Sequence, residues 1–147
     1  MKGTGNLLKK VALSLLLFCI MTSCENKRDI NGDLDGMWQM IVWKDANNNT
    51  IKDKNGRIFY NIQLKLIQFR DFNDSGVNSS YVHAYFRHSP DSLIIFNPAN
   101  YGSGERIPIT DLMKYGVPAD GKFHIDALDD KNMVLSSKYG TLYFRKY

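Results

Sequence analysis

From residue 36 to the end of the chain, apolar side chains recur at every second position. They do so in runs that Asn, Asp, Gly, Ser or Pro cut short. A period of two puts alternate side chains on opposite faces of a strand, and a helix cannot use it. Strands are predicted over residues 37–44, 57–72, 81–88, 93–96, 122–128, 132–137 and 141–147. In the longest, Ile58, Tyr60, Ile62, Leu64 and Leu66 share one face. Arg57, Asn61, Gln63 and Lys65 share the other, and Phe59 is out of phase. Ile67 and Phe69 then carry the apolar residues on the opposite parity, so a bulge is predicted near Leu66-Ile67. Asn55-Gly56 is a strong hairpin signal, because both residues tolerate positive φ. One short helix is predicted over 110–115, with Thr110 as N-cap, Gly116 as left-handed stop and Pro118 beyond it. Seven or eight short strands and almost no helix indicate an all-β fold, an antiparallel up-and-down barrel or sandwich. No repeat, low-complexity tract or second domain interrupts it.

The first 35 residues are written differently. Lys2, Lys9 and Lys10 precede an apolar run over residues 11–21. That run is too short for a stable bilayer anchor, which needs about 20 residues, and it has the length of the hydrophobic part of an export signal. It ends in Met21-Thr22-Ser23-Cys24, which resembles the recognition box of lipoprotein signal peptidase, with Met where Leu is usual. The expected division is a signal over 1–23, a polar flexible tether over 24–35 beginning at a diacylglycerol-modified Cys24, and a domain over 36–147. An ordinary secretory signal is the plainer alternative. Cys19 leaves with the signal and Cys24 is acylated, so the expected mature domain has no free thiol, disulfide or cysteine metal ligand. The chain carries 19 basic and 15 acidic residues, and three of the basic ones are the lysines of the signal. Little excess charge remains to neutralise phosphates, so nucleic acid is not an expected partner. Glu25 after the lipid cysteine differs from the Asp of the inner-membrane retention signal, so the outer membrane is the expected site.

The first strand opens Leu34-Asp35-Gly36-Met37-Trp38, and the last contains Leu142-Tyr143-Phe144-Arg145. Gly-Xaa-Trp at the first strand resembles the signature of lipocalins and related calycins. The short Asp111-Leu112-Met113-Lys114-Tyr115-Gly116 segment before the last three strands is similar to bacterial lipocalin-like lipoprotein domains. The resemblance runs from Leu34 to Tyr147. It implies a lipocalin-like barrel in which Trp38 closes one end and Arg145, a basic residue of the last strand, stacks on its indole. Many members of this group have no assigned activity, so the resemblance implies the fold more than the function.

No catalytic constellation is present. No Ser sits in a nucleophile elbow, so an enzyme is not expected and no cofactor is implied. His83 and His88 are five apart and face opposite sides of one strand, and zinc needs three or four convergent ligands. The Asn-rich loop from Asp45 has Thr50 where a calcium loop needs Gly and Gly56 where it needs an acid. Gly102-Ser103-Gly104 lacks the Lys-Ser/Thr pair of a phosphate loop. No metal site is expected. Tyr60, Tyr85, Phe86, Phe96 and Phe123 are candidates to line a pocket for a small apolar ligand, and core packing explains them equally well. An eight-stranded barrel can hold such a ligand or fill itself with side chains. The two functional readings are therefore a tethered binder of a small apolar ligand and a filled interaction module that meets an envelope protein.

Overall fold

The structure, a computed structural model, describes residues 30–73 and 81–147; the expected signal over 1–23 and the start of the expected tether, with Cys24, lie outside the described residues. Among the described residues nine strands form: β1 (Gly36–Asp45), β2 (Thr50–Asp53), β3 (Ile58–Gln63), β4 (Leu66–Asp71), β5 (Val82–Ser89), β6 (Ser92–Asn100), β7 (Lys122–Leu128), β8 (Asn132–Ser137) and β9 (Gly140–Lys146). β1 and β3 to β9 pair antiparallel in sequence order, and β9 pairs back onto β1. The result is a closed eight-stranded up-and-down barrel. It is all-β, as the sequence pattern required.

β2 is the extra strand. It pairs with residues 42–44 of β1, on the edge where β3 pairs with residues 36–39, while β9 occupies the opposite edge. β2 and β3 thus lie end to end along β1, interrupted by the 3₁₀ turn Lys54–Gly56. Asn55-Gly56 therefore does not close a hairpin between partner strands. The left-handed residue there is Arg57, at φ 46°, while the Asp53 carboxylate accepts from the Asn55 N–H at 2.9 Å.

The predicted long strand over 57–72 is two strands, and the expected bulge is a hairpin turn. Gln63 pairs with Leu66, and Leu64-Lys65 form the tip, with Leu64 at φ 57°. The turn accommodates the change of phase: Ile62 and Ile67 pair across it and both are buried inside. Leu64 and Leu66, expected with the core face, are exposed. Phe59 faces outward and is nonetheless buried. Phe72 and Tyr147 meet its ring edge-on at 5.1 and 5.4 Å, and Arg70 covers the Phe72 ring at 3.9 Å.

The short helix is present as a 3₁₀ helix, Ile109–Tyr115, ended by Gly116 at φ 90°. Its N-cap is Pro108, with no side-chain cap, so Thr110 does not serve. This helix covers one end of the barrel through Leu112 and Tyr115, both buried, and Tyr115 stacks on Phe69 at 5.7 Å. The other end is covered by the 3₁₀ turn Gly32–Leu34, whose Leu34 is fully buried.

Gly140 is dictated by the closure. It sits at φ 134° opposite Asp45, and a Cβ there would collide with the Lys44 carbonyl oxygen and lie 2.9 Å from Asp45 Cα. Only a residue without a side chain lets β9 approach β1 so closely.

Candidate functional site

Trp38 lies on the inward face of β1 and is completely buried. Its Nε1–H donates to the Leu34 carbonyl at 2.9 Å, which ties the 3₁₀ turn across the barrel mouth. The cation over its ring is Lys146, with Nζ 4.8 Å from the ring centroid. The same ammonium donates to the Asp33 carbonyl at 2.9 Å. This corrects the expectation for Arg145, and the reason is parity. Trp38 pairs with Lys146 in the ladder, and Gln39 pairs with Arg145. Leu142 and Phe144 point inward, so Arg145 points out. There its Nε and Nη2 donate to Gln39 Oε1 at 3.0 and 2.8 Å. Gly36, at φ 132°, makes room for the lysine stem: a Cβ would lie 3.1 Å from Lys146 Cε.

The five aromatic candidates do not line one pocket. Tyr60, Phe86 and Phe123 are buried in the barrel. Tyr60 sits in the middle of the packing, with Phe69 at 4.8 Å and Phe144 at 4.7 Å, and donates its hydroxyl to the Tyr115 carbonyl at 2.8 Å. Burial drives its pKa well above the ordinary phenol value, so the donor proton stays in place. Tyr85 and Phe96 are opposite residues on β5 and β6 and stack at 6.1 Å on the outside of the barrel. Adjacent residues of a strand face opposite ways, so Tyr85 and Phe86 could never have shared a pocket.

The interior is filled. Side chains from β1, β3 to β9 and the helix over 109–115 form one continuous buried cluster from Leu34 at one end to Leu112 at the other. Open space lies on the outer wall instead. A cleft of about 390 Å³ runs over β3, β4 and β5, lined by Asn61, Gln63, Leu64, Leu66, Gln68, His83 and Tyr101. His83 Nδ1 is buried beside it without a hydrogen-bond partner, and the Tyr101 ring stands edge-on to the imidazole at 6.3 Å.

Among the described residues, no three His, Cys, Asp or Glu side chains converge as metal ligands. The Asn-rich loop is an Asx turn: Asp45 Oδ1 accepts from the Asn47 and Asn49 N–H groups, each at 2.8 Å. The Asn49 side chain and those backbone donors hold the Asp45 carboxyl below the usual range. Gly102 to Glu105 is a turn, with Gly104 N–H donating to the Asn100 carbonyl. Among the described residues, no helix is long and apolar enough to cross a membrane.

The sequence model of the lipocalin-like domain family matches residues 19–147. The chain belongs to this family. Solved structures agree on the fold of the lipocalin-like domain. A lipocalin-like protein from Bacteroides uniformis is 22% identical, covering 79% of this chain and all of its own, with a TM-score of 0.58. A protein from Bacteroides eggerthii is 23% identical over 77% of this chain and 98% of its own, with a TM-score of 0.56. No curated protein matches the chain.

Sequence reasoning missed Lys146 and the outer cleft. The lysine was within reach of the strand's alternation, since residue 146 shares parity with 142 and 144. The cleft was not, because it depends on the hairpin tip at Leu64.

Proposed function

We propose that this lipocalin-like protein is a lipid-anchored, non-catalytic envelope lipoprotein. Its barrel is a packed scaffold that makes its contacts through the outer wall. The single observation carrying this reading is the filled interior, where Tyr60, Phe69, Phe144 and Tyr115 interlock around the buried hydroxyl of Tyr60. A ligand carrier needs a cavity of several hundred Å³ lined by such side chains; here the side chains occupy that space themselves. Open volume and exposed aromatic surface lie outside. The anchor rests on Cys24 with its basic flank, apolar run and small residues, and Glu25 favours the outer membrane.

Two measurements test the two halves. Fatty-acid labelling of cells should mark the parent protein, and Cys24→Ser should lose the label and accumulate as precursor. Equal label on both would end the anchored reading. Titration with a fluorescent fatty acid should give no saturable one-to-one uptake. Stoichiometric binding that quenches Trp38 would return the barrel to the carrier reading.

A further inference from the structure

The hairpin tip at Leu64-Lys65 carries an unusual combination. Leu64 is a non-glycine residue in the left-handed region, at φ 57°, where Gly or Asn fits with less steric conflict. Its side chain is also 52% exposed. Backbone strain and an apolar side chain in water both oppose folding, and an outlier of this kind points to a use outside the folded core. The surroundings share its character. Leu66 and Tyr101 line the same cleft and are exposed, Tyr101 at 63%. Tyr85, also exposed, pairs with Leu66 across the sheet. The cleft lining contains no carboxylate, and Lys65 at the tip adds a cation.

The chain enters the domain at this same tip. Asn31 Nδ2 donates to the Leu64 carbonyl at 2.8 Å, and Asn31 is itself held by the Asp35 carboxylate through its backbone N–H at 3.0 Å. Ile30, just before it, is 62% exposed. Six residues, 25–30, separate Cys24 from Asn31. A fully extended chain covers at most about 3.6 Å per residue, so the span is about 25 Å. If Cys24 carries the lipid, the Leu64 tip cannot stand farther than that from the headgroups.

We infer that the outer wall from the Leu64-Lys65 tip to Tyr101 is the face with which the domain rests on the lipid surface. Leu64 enters the headgroup layer, Lys65 meets lipid phosphates, and the tyrosines sit at the interface, where a ring with one polar end is favoured. The inference rests on the anchored reading above, and it selects which face that anchor presents to the membrane. The two acyl chains of a diacylglycerol at Cys24 would hold the protein on the membrane without help, so the apolar tip serves to fix orientation.

The test uses the acylated mature protein in phosphatidylethanolamine/phosphatidylglycerol vesicles containing nitroxide-labelled lipid. Cys24 is blocked by its lipid, so Leu64→Cys, Leu66→Cys, Tyr101→Cys and Lys138→Cys each add one free thiol for an environment-sensitive fluorophore. Lys138 lies in the β8–β9 turn, and β8 stands across the ring from β4. Flotation with the vesicles and fatty-acid label are measured first; their absence would refute the anchored reading separately. In floating protein, quenching at 64, 66 and 101 should exceed that at 138 several-fold. Leu64→Asp should reduce quenching at 101 while flotation persists. Equal quenching at all sites in floating protein would overturn the inference. So would burial of the label at 64 that needs no vesicles and rises with protein concentration, which would assign the face to a second copy. The labels at 66, in β4, and at 101, in the turn after β6, keep the test decisive if the variant at 64 does not fold.

Discussion

Replacing Lys146 tests the register on which the Trp38 end of the barrel is built. The side chain does three things. Its stem passes Gly36, its ammonium lies 4.8 Å from the Trp38 ring centroid, and the same group donates to the Asp33 carbonyl at 2.9 Å. Lys146→Met keeps the stem and loses the charge. A partly exposed cation–π contact is worth about 0.5–1 kcal/mol, and a solvent-accessible hydrogen bond about as much, so the variant should lose about 1–2 kcal/mol. Lys146→Ala also uncovers part of Trp38 and should lose about 1 kcal/mol more, as about one buried methylene does. Arg145→Met, in contrast, frees only Gln39 and should cost about 1 kcal/mol. Urea unfolding followed by far-ultraviolet circular dichroism gives each value, and a Trp38→Leu background closes the cycles. Lys146 should couple to Trp38 by about 0.5–1 kcal/mol, while Arg145 should be additive with it to within about 0.5 kcal/mol. Stronger coupling for Arg145, or a neutral Lys146→Met, would refute the register and the placement of Lys146 over Trp38.

Gly140→Ala should destabilise by at least about 3 kcal/mol or prevent folding, because a Cβ there collides with the Lys44 backbone as well as straining φ. Gly102→Ala, at φ 95° with nothing within 4 Å, should lose only about 1–2 kcal/mol; equal thermal shifts for the two would refute the close approach at Gly140. Asp45→Asn should be less stable than the parent at neutral pH. The Asp45 carboxyl is depressed in the fold, so its contribution is complete above its unfolded value of 3.8 and is lost as pH falls through the lower folded value. Melts across that range should show the gap between parent and variant closing toward acid; a gap that widens would be the wrong sign.

The fold was legible wherever alternation and turn residues agreed, as in β5 and β7 to β9. It was not legible at β2, where Thr50-Ile51-Lys52-Asp53 is too short and polar to announce a strand, and β1 supplies the pairing. Nor could the hairpin between β3 and β4 be read, since neither Leu64 nor Lys65 is a turn-forming type. Only the pairing of Ile62 with Ile67 reveals why the apolar phase changes there. At the candidate site, Trp38 and Gly36 were legible from their order and spacing. The partner of Trp38 was assigned to Arg145 by residue type, although parity already favoured Lys146. Phe96 was assigned by aromaticity, although Leu93 and Ile95 hold the inward positions of that strand.

The pairing of β9 with β1 has a consequence for how the chain comes into being. Gln39 and Arg145, joined by side-chain hydrogen bonds, are 106 residues apart. The ring cannot shut until the last seven or so residues have been made and delivered to the first strand. Contacts this distant in sequence make folding slow, and until they form, β1 and β8 each present an unpaired edge that can join another chain. A translation product ending after residue 139 would keep both edges for good. For this protein, a missing C-terminus is a hazard of self-association before it is a loss of stability.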